Sequence, residues 1–72
     1  MIAILDHEKF RHELKKQNWK EEAFAELVGI SDRHVRNLKK KDTNVTIALY
    51  YKIVQAFSLP MGALLVLYVE DD

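Results

Sequence analysis

The fold is decided by residues 19–38, which read WKEEAFAELVGISDRHVRNL. Apolar residues recur at helical spacing on both sides of Gly29, and glycine most readily takes the left-handed conformation in which many helices end. Ser31, two residues later, is a favourable N-cap for a second helix. The stretch therefore predicts a helix-turn-helix arrangement over about residues 20–40.

Three further helical patterns surround this pair, each with a residue that suits a helix start. They are residues 7–17 after Asp6, residues 47–57 after Thr46, and a short fifth helix from Pro60 to about Val66. Residues 42–44 are expected to form a turn. A chain of 72 residues has room for one core, so we expect a single, compact, five-helix, all-α domain over residues 1–72.

The apolar residues at the two ends exceed what a five-helix core of this size needs. The alternation at Ile2 and Ile4, together with the β-branched content near Val69, would permit short terminal strands that pair within one chain or between two. Residues 1–5 and 60–69 are therefore the expected dimerisation elements.

The composition argues against metal, cofactor and catalytic sites. There is no cysteine, and His7, His12 and His34 stand at no metal-ligand spacing, so neither a metal nor a cofactor is expected. No nucleophile, base and orienting group form a set, and no glycine-rich phosphate loop occurs, so the protein is not expected to be an enzyme. The apolar run at residues 63–69 is too short to span a membrane, which favours a cytoplasmic protein.

The charges are unevenly distributed along the chain. Eleven basic and eleven acidic residues give zero net charge, which at first argues against a nucleic-acid partner. Residues 30–44, however, carry five basic against two acidic residues, or +3, whereas residues 70–72 carry three acidic ones. The third helix has only Val35 and Leu38 as strongly apolar positions, so a wide basic face is left for a charged partner.

Residues 19–38 resemble the helix-turn-helix of phage repressor and Cro proteins, the XRE family. The features that carry the resemblance are an apolar Trp19 before the second helix, a small Ala25 four residues before the glycine, and the turn Gly29-Ile30-Ser31. The resemblance continues through TIALYYKIVQAFSLP at residues 46–60 and covers roughly residues 7–66. It implies a lambda-repressor-like fold that places its third helix in the DNA major groove.

Four positions depart from the family pattern. Leu14 and Lys39 stand where the family usually pairs Arg with Glu, so we expect Leu14 to join the core and Lys39 to turn its ammonium to solvent or phosphate. Glu21 replaces a frequent Gln that donates to a phosphate, which a carboxylate would instead repel. Lys41 replaces the usual glycine, so the third helix is expected either to run on slightly or to bend with left-handed strain.

The resemblance also implies which residues contact DNA. The positions that would read bases are Asp32, Arg33, Arg36 and Asn37. Arginine bonds guanine and asparagine bonds adenine in the major groove, whereas Asp32 is better suited to capping the helix or orienting an arginine. The positions that would contact phosphates are Lys20, His34, Lys40, Lys41, Thr43 and Asn44.

Taken together, these features predict a sequence-specific, double-stranded DNA-binding transcriptional regulator that binds its operator as a homodimer. The resemblance suggests a repressor or Cro-like protein of a phage, plasmid or mobile element, acting at the bacterial nucleoid. An alternative is that the same fold binds a protein, as an antitoxin or antirepressor does. This alternative is supported by Glu21, the acidic tail and the zero net charge. A separate alternative is that Arg33 and Arg36 form an ordinary solvated helix face.

Overall fold

The computed structural model describes residues 2–69, which form four helices and a small antiparallel sheet. The helices are α1 (His7–Lys16), α2 (Glu21–Val28), α3 (Asp32–Lys40) and α4 (Ile47–Ala56), and the strands are β1 (Ile2–Leu5), β2 (Thr43–Thr46) and β3 (Leu65–Val69). The strand order is β2-β1-β3. The fold is therefore mostly helical rather than all-α, and five helices are not found among these residues.

Local sequence determines where three of the four helices start. Each begins after a residue whose side-chain oxygen accepts a hydrogen bond from a backbone N–H two or three residues later, which satisfies an otherwise unpaired donor. These residues are Asp6, Ser31 and Thr46. The three N-caps that the sequence predicts are thus confirmed.

The sheet pairs the beginning of the described chain with two later segments. Ile2 lies opposite Thr46 in β2 and opposite Val69 in β3. The pairing within one chain that Ile2 and Ile4 suggested is therefore present. The expected turn at residues 42–44 is wrong beyond Asp42, because Thr43 and Asn44 belong to β2, where the backbone of β1 supplies their hydrogen-bond partners.

The predicted fifth helix from Pro60 to Val66 is wrong. Residues 61–64 form only turns, in which Ala63 N donates to Pro60 O at 3.0 Å, and β3 begins at Leu65. The β-branched and aromatic residues of this segment favour a strand, and β1 offers it a partner that no local pattern reveals. The hydroxyl of buried Tyr50 donates to the Met61 carbonyl, which fastens the turns to α4.

The core lies between the inner face of the sheet and the four helices. At its centre three phenylalanine rings are in contact, with Phe24 stacked on Phe57 at a centroid distance of 4.8 Å and Phe10 edge-on to both. Leu14 is buried, as its departure from the family pattern predicted. Val35 and Leu38 are fully buried in the same cluster, so α3 is attached to the core by one narrow stripe.

The chain leaves α3 in an extended conformation. The helix ends at Lys40, and Lys41 has φ −156° and ψ 159°, so both expectations for Lys41, a longer helix or a left-handed bend, are wrong. An extended residue is what the start of β2 two residues later requires. No helix within residues 2–69 has the length and apolar content needed to cross a membrane. The acidic tail at residues 70–72 and Met1 lie outside the described residues.

Candidate nucleic-acid interface

A short turn fixes α3 against α2. Gly29 has φ 78°, and its N–H and that of Ile30 both donate to the Ala25 carbonyl at 2.9 Å. Ala25 is itself buried, and a small side chain at such a position lets neighbouring helices pack closely. The side chain of Ile30 packs against the core, so the turn is held both by its backbone hydrogen bonds and by this apolar contact.

The two sides of α3 differ in exposure. Val35 and Leu38 face the core, and the other side presents Arg33, Arg36 and Asn37, all of which are exposed. Three of the four residues expected to read bases thus lie exposed along one helix. Asp32 is half-buried in the first turn, where a carboxylate interacts favourably with the positive end of the helix dipole.

The six expected phosphate contacts fall into two groups. Four of them are exposed, namely Lys20, Lys40, Lys41 and Asn44. His34 and Thr43 are half-buried. The Thr43 hydroxyl donates to the Lys41 carbonyl at 2.9 Å, so its proton is engaged within the protein.

Five charged side chains from three helices surround an open pocket of about 460 Å³ beside α3. They are Arg11, Glu21, Arg36, Lys39 and Lys40. Arg11 is not among the site residues expected from the sequence, although its spacing from Leu14 could have suggested it. Arg11 precedes Leu14 by three residues, so the two share one side of α1, and Leu14 is buried.

Glu21 and Lys39 form an ion pair across this pocket. Lys39 Nζ lies 3.5 Å from Glu21 Oε1, and each side chain is about one third exposed. Glu21 Oε2 is buried and has no hydrogen-bond partner in the described part of the chain. The expectation that Lys39 turns to solvent or phosphate is wrong here, because α2 places an acid within its reach.

A second polar contact joins the start of α1 to the residue that precedes β2. His7 donates from its backbone N–H to Asp42 Oδ1 at 3.1 Å, and His7 Nδ1 lies 2.6 Å from the same oxygen. The side-chain and then the backbone hydrogen bond from His7 hold the pKa of Asp42 below its ordinary value. The contact fixes the exit from α3 and could not be found from sequence spacing, since 35 residues separate the partners.

Asp6, His7 and Asp42 also form a group that could hold a metal ion, with ligand atoms within 4.8 Å of one another. These atoms already have protein partners, because Asp6 caps α1 and His7 binds Asp42. The arrangement is explained as a structural clamp.

Comparison with known families agrees with this geometry. A family model described as helix-turn-helix matches residues 10–64, a range that includes α2, the turn at Gly29 and α3. No curated protein and no solved structure matches the chain. In such motifs the second helix of the pair is the one that enters the major groove of DNA. With its crossed α2 and α3, its glycine turn and the exposed basic side of α3, the chain belongs to the helix-turn-helix family of DNA-binding regulatory domains.

Proposed function

We propose that this protein is a sequence-specific transcriptional regulator that inserts α3 into the major groove of double-stranded DNA. The observation that carries the proposal is the exposure of Arg33, Arg36 and Asn37 on a helix that Val35 and Leu38 hold to the core. A guanidinium bonds guanine O6 and N7, and a carboxamide bonds adenine N6 and N7. Each such pair discriminates against a wrong base by about 1–3 kcal/mol.

Phosphate contacts position the domain on the duplex without reading the sequence. In this proposal they come from Lys20, Lys40, Lys41 and Asn44, which are exposed, and more weakly from His34 and Thr43. Asp32 orients a neighbouring arginine instead of binding a base, because it lies half-buried at the start of α3.

We further propose that two copies bind the operator through pairing of their β3 strands. β3 is an edge strand with one side open, and both Val66 and Leu67 expose more than two fifths of their surface. β1 has a neighbour on each side, so within residues 2–69 the later of the two expected dimerisation elements keeps a free edge and the earlier does not. A two-fold dimer would place the two α3 helices about 34 Å apart on one face of the duplex.

The biological role that fits the resemblance of residues 19–38 is that of a repressor or Cro-like regulator of a phage, plasmid or mobile element. Antitoxin or antirepressor activity is the second candidate. It is favoured by the exposed apolar side chains of Leu27 on α2 and Tyr51 on α4, neither of which belongs to α3. A toxin or regulator protein would then cover these two residues.

Salt titration tests the DNA-binding proposal. The duplex is selected from a random pool by the protein itself, and affinity is measured between about 50 and 200 mM salt. A protein that neutralises several phosphates releases their counterions, so affinity should fall by orders of magnitude over this range. Failure to enrich any duplex at low salt would remove the DNA-binding proposal and leave the protein-binding candidate.

A double substitution tests the reading face. Arg36→Ala with Asn37→Ala should remove most of the preference for the selected duplex over a scrambled one, because two of the three exposed base-reading groups are lost while the buried stripe stays intact. The matched control is Lys52→Ala with Gln55→Ala, which changes two exposed residues of α4 and should keep the preference. Competition binding measures both, and equal preference in parent and double variant would show that α3 does not read the bases.

A further inference from the structure

Glu21 occupies a pocket that is otherwise lined by cations. We infer that Glu21 acts as an internal competitor for Lys39, which withholds this lysine from DNA phosphates and lowers the affinity of the protein for any duplex. The inference rests on the proposed DNA-binding function. It concerns how tightly the protein binds DNA and leaves the choice of bases to α3.

The geometry of the pair supports this role. Glu21 Oε1 faces Lys39 Nζ at 3.5 Å, and Glu21 Oε2 is enclosed without a hydrogen bond. The carboxylate is therefore held by the positive charges around it rather than by a network of donors. Among residues 2–69, Lys39 is the cation paired with it, and the coverage of about two thirds of each side chain restricts both.

A phosphate that took Lys39 would have to displace this carboxylate. Both Glu21 oxygens would then lack a partner in a half-buried position, and a second anion would lie beside the first. Leaving a charged group without its partner is unfavourable to the extent that the group is buried, and about two thirds of this side chain is covered. Arg36 and Lys40 reach the same pocket but are exposed, so they remain available to DNA while Lys39 does not.

Counterion release distinguishes this mechanism from general repulsion. Each phosphate that a lysine neutralises adds about 0.9 to the slope of log affinity against log salt concentration. Glu21→Gln should free Lys39, so the slope should steepen by about 0.9 per bound chain. Affinity near 0.1 M salt should rise by roughly eightfold per chain. This factor follows from a slope change of about 0.9 over the tenfold range of salt concentration below about 1 M.

The neighbouring glutamate provides a matched control. Glu22 is also in the first turn of α2 but is exposed, so Glu22→Gln removes the same charge and the same interaction with the helix dipole. It should leave the salt slope unchanged. Lys39→Gln in the parent should also leave the slope unchanged, whereas in the Glu21→Gln background it should remove the added 0.9.

The measurement is fluorescence anisotropy with a random-sequence duplex over a salt series, with a thermal unfolding curve for each variant to confirm that it is folded. The inference is overturned if the parent binds and Glu21→Gln matches Glu22→Gln, or if Lys39→Gln alone lowers the parent's slope. In both cases the DNA-binding proposal survives. If neither the parent nor Glu21→Gln binds a duplex at low salt, both proposals fall together.

Discussion

At the scale of single residues, the sequence predicts contacts between residues that lie within one helical turn of each other. Asp6, Ser31 and Thr46 cap helices because their oxygens meet backbone donors two or three positions away, a distance that sequence displays directly. The pairing of Glu21 with Lys39 depends instead on how α2 and α3 cross. The sequence does not show how two helices cross, so this ion pair could not be predicted from it.

The His7 clamp on Asp42 gives a prediction about pH. Hydrogen bonds from His7 lower the pKa of Asp42 from 3.8 in the folded protein, so the ionised carboxylate stabilises the fold. This contribution is complete above the ordinary pKa and is lost as the pH falls through the lowered value. Asp42→Asn should therefore reduce the free energy of unfolding near pH 5, and its difference from the parent should shrink as the solution is acidified.

Urea unfolding at a series of pH values measures this difference. Glu26→Gln, which removes an exposed carboxylate on α2, serves as the control and should run parallel to the parent. A deficit for Asp42→Asn that stays constant down to the most acidic pH would mean that the charge of Asp42 does not contribute.

At the scale of elements, periodicity predicted α1 to α4 because each buries its own stripe at helical spacing. The helix expected from Pro60 to Val66 rested on Pro60 as a helix start, in a segment whose residues are apolar on all sides, so that periodicity carries no information there. Their conformation is decided by β1, whose backbone is available to pair. Turn composition misassigned Thr43 and Asn44 for the same reason, since a strand partner is absent from the local sequence.

The turn between α2 and α3 yields a stability prediction. Gly29 has φ 78°, and a Cβ at this position would meet nothing within 4 Å, so an alanine would suffer from backbone strain alone. Gly29→Ala should destabilise the protein by about 1 kcal/mol. Chemical denaturation measures the change.

Gly62→Ala is the control for this substitution. Its added Cβ also meets nothing within 4 Å, and its φ lies outside the left-handed region. It should leave stability unchanged or raise it slightly by restricting the unfolded chain. Equal losses at the two glycines would show that the left-handed turn carries no special cost.

At the scale of the whole molecule, the proposed dimer depends on the open edge of β3. Leu67 is 47% exposed and lies opposite Ile4 in the sheet. In an antiparallel pairing of two β3 strands about a two-fold axis, equivalent side chains approach each other. Like charges placed opposite one another on neighbouring strands are destabilising.

Leu67→Lys should therefore shift the protein from dimer to monomer and weaken binding to a two-fold operator far more than binding to a half-site. Leu27→Lys, at an exposed leucine on α2, is the control and should leave the dimer intact. Sedimentation equilibrium gives the mass of each. A parent that is monomeric at the concentrations where it binds DNA would exclude the β3 dimer.

The central position of β1 also determines the order in which the protein assembles during translation. Ile2 is made before both of its partners in the sheet, Thr46 and Val69, which lie far later along the chain. Local helices form within about a microsecond, whereas contacts between distant segments close slowly. α3, which lies between β1 and β3 along the chain, can thus form before the sheet is complete, and the third strand is added only once Val69 is available to pair with Ile2.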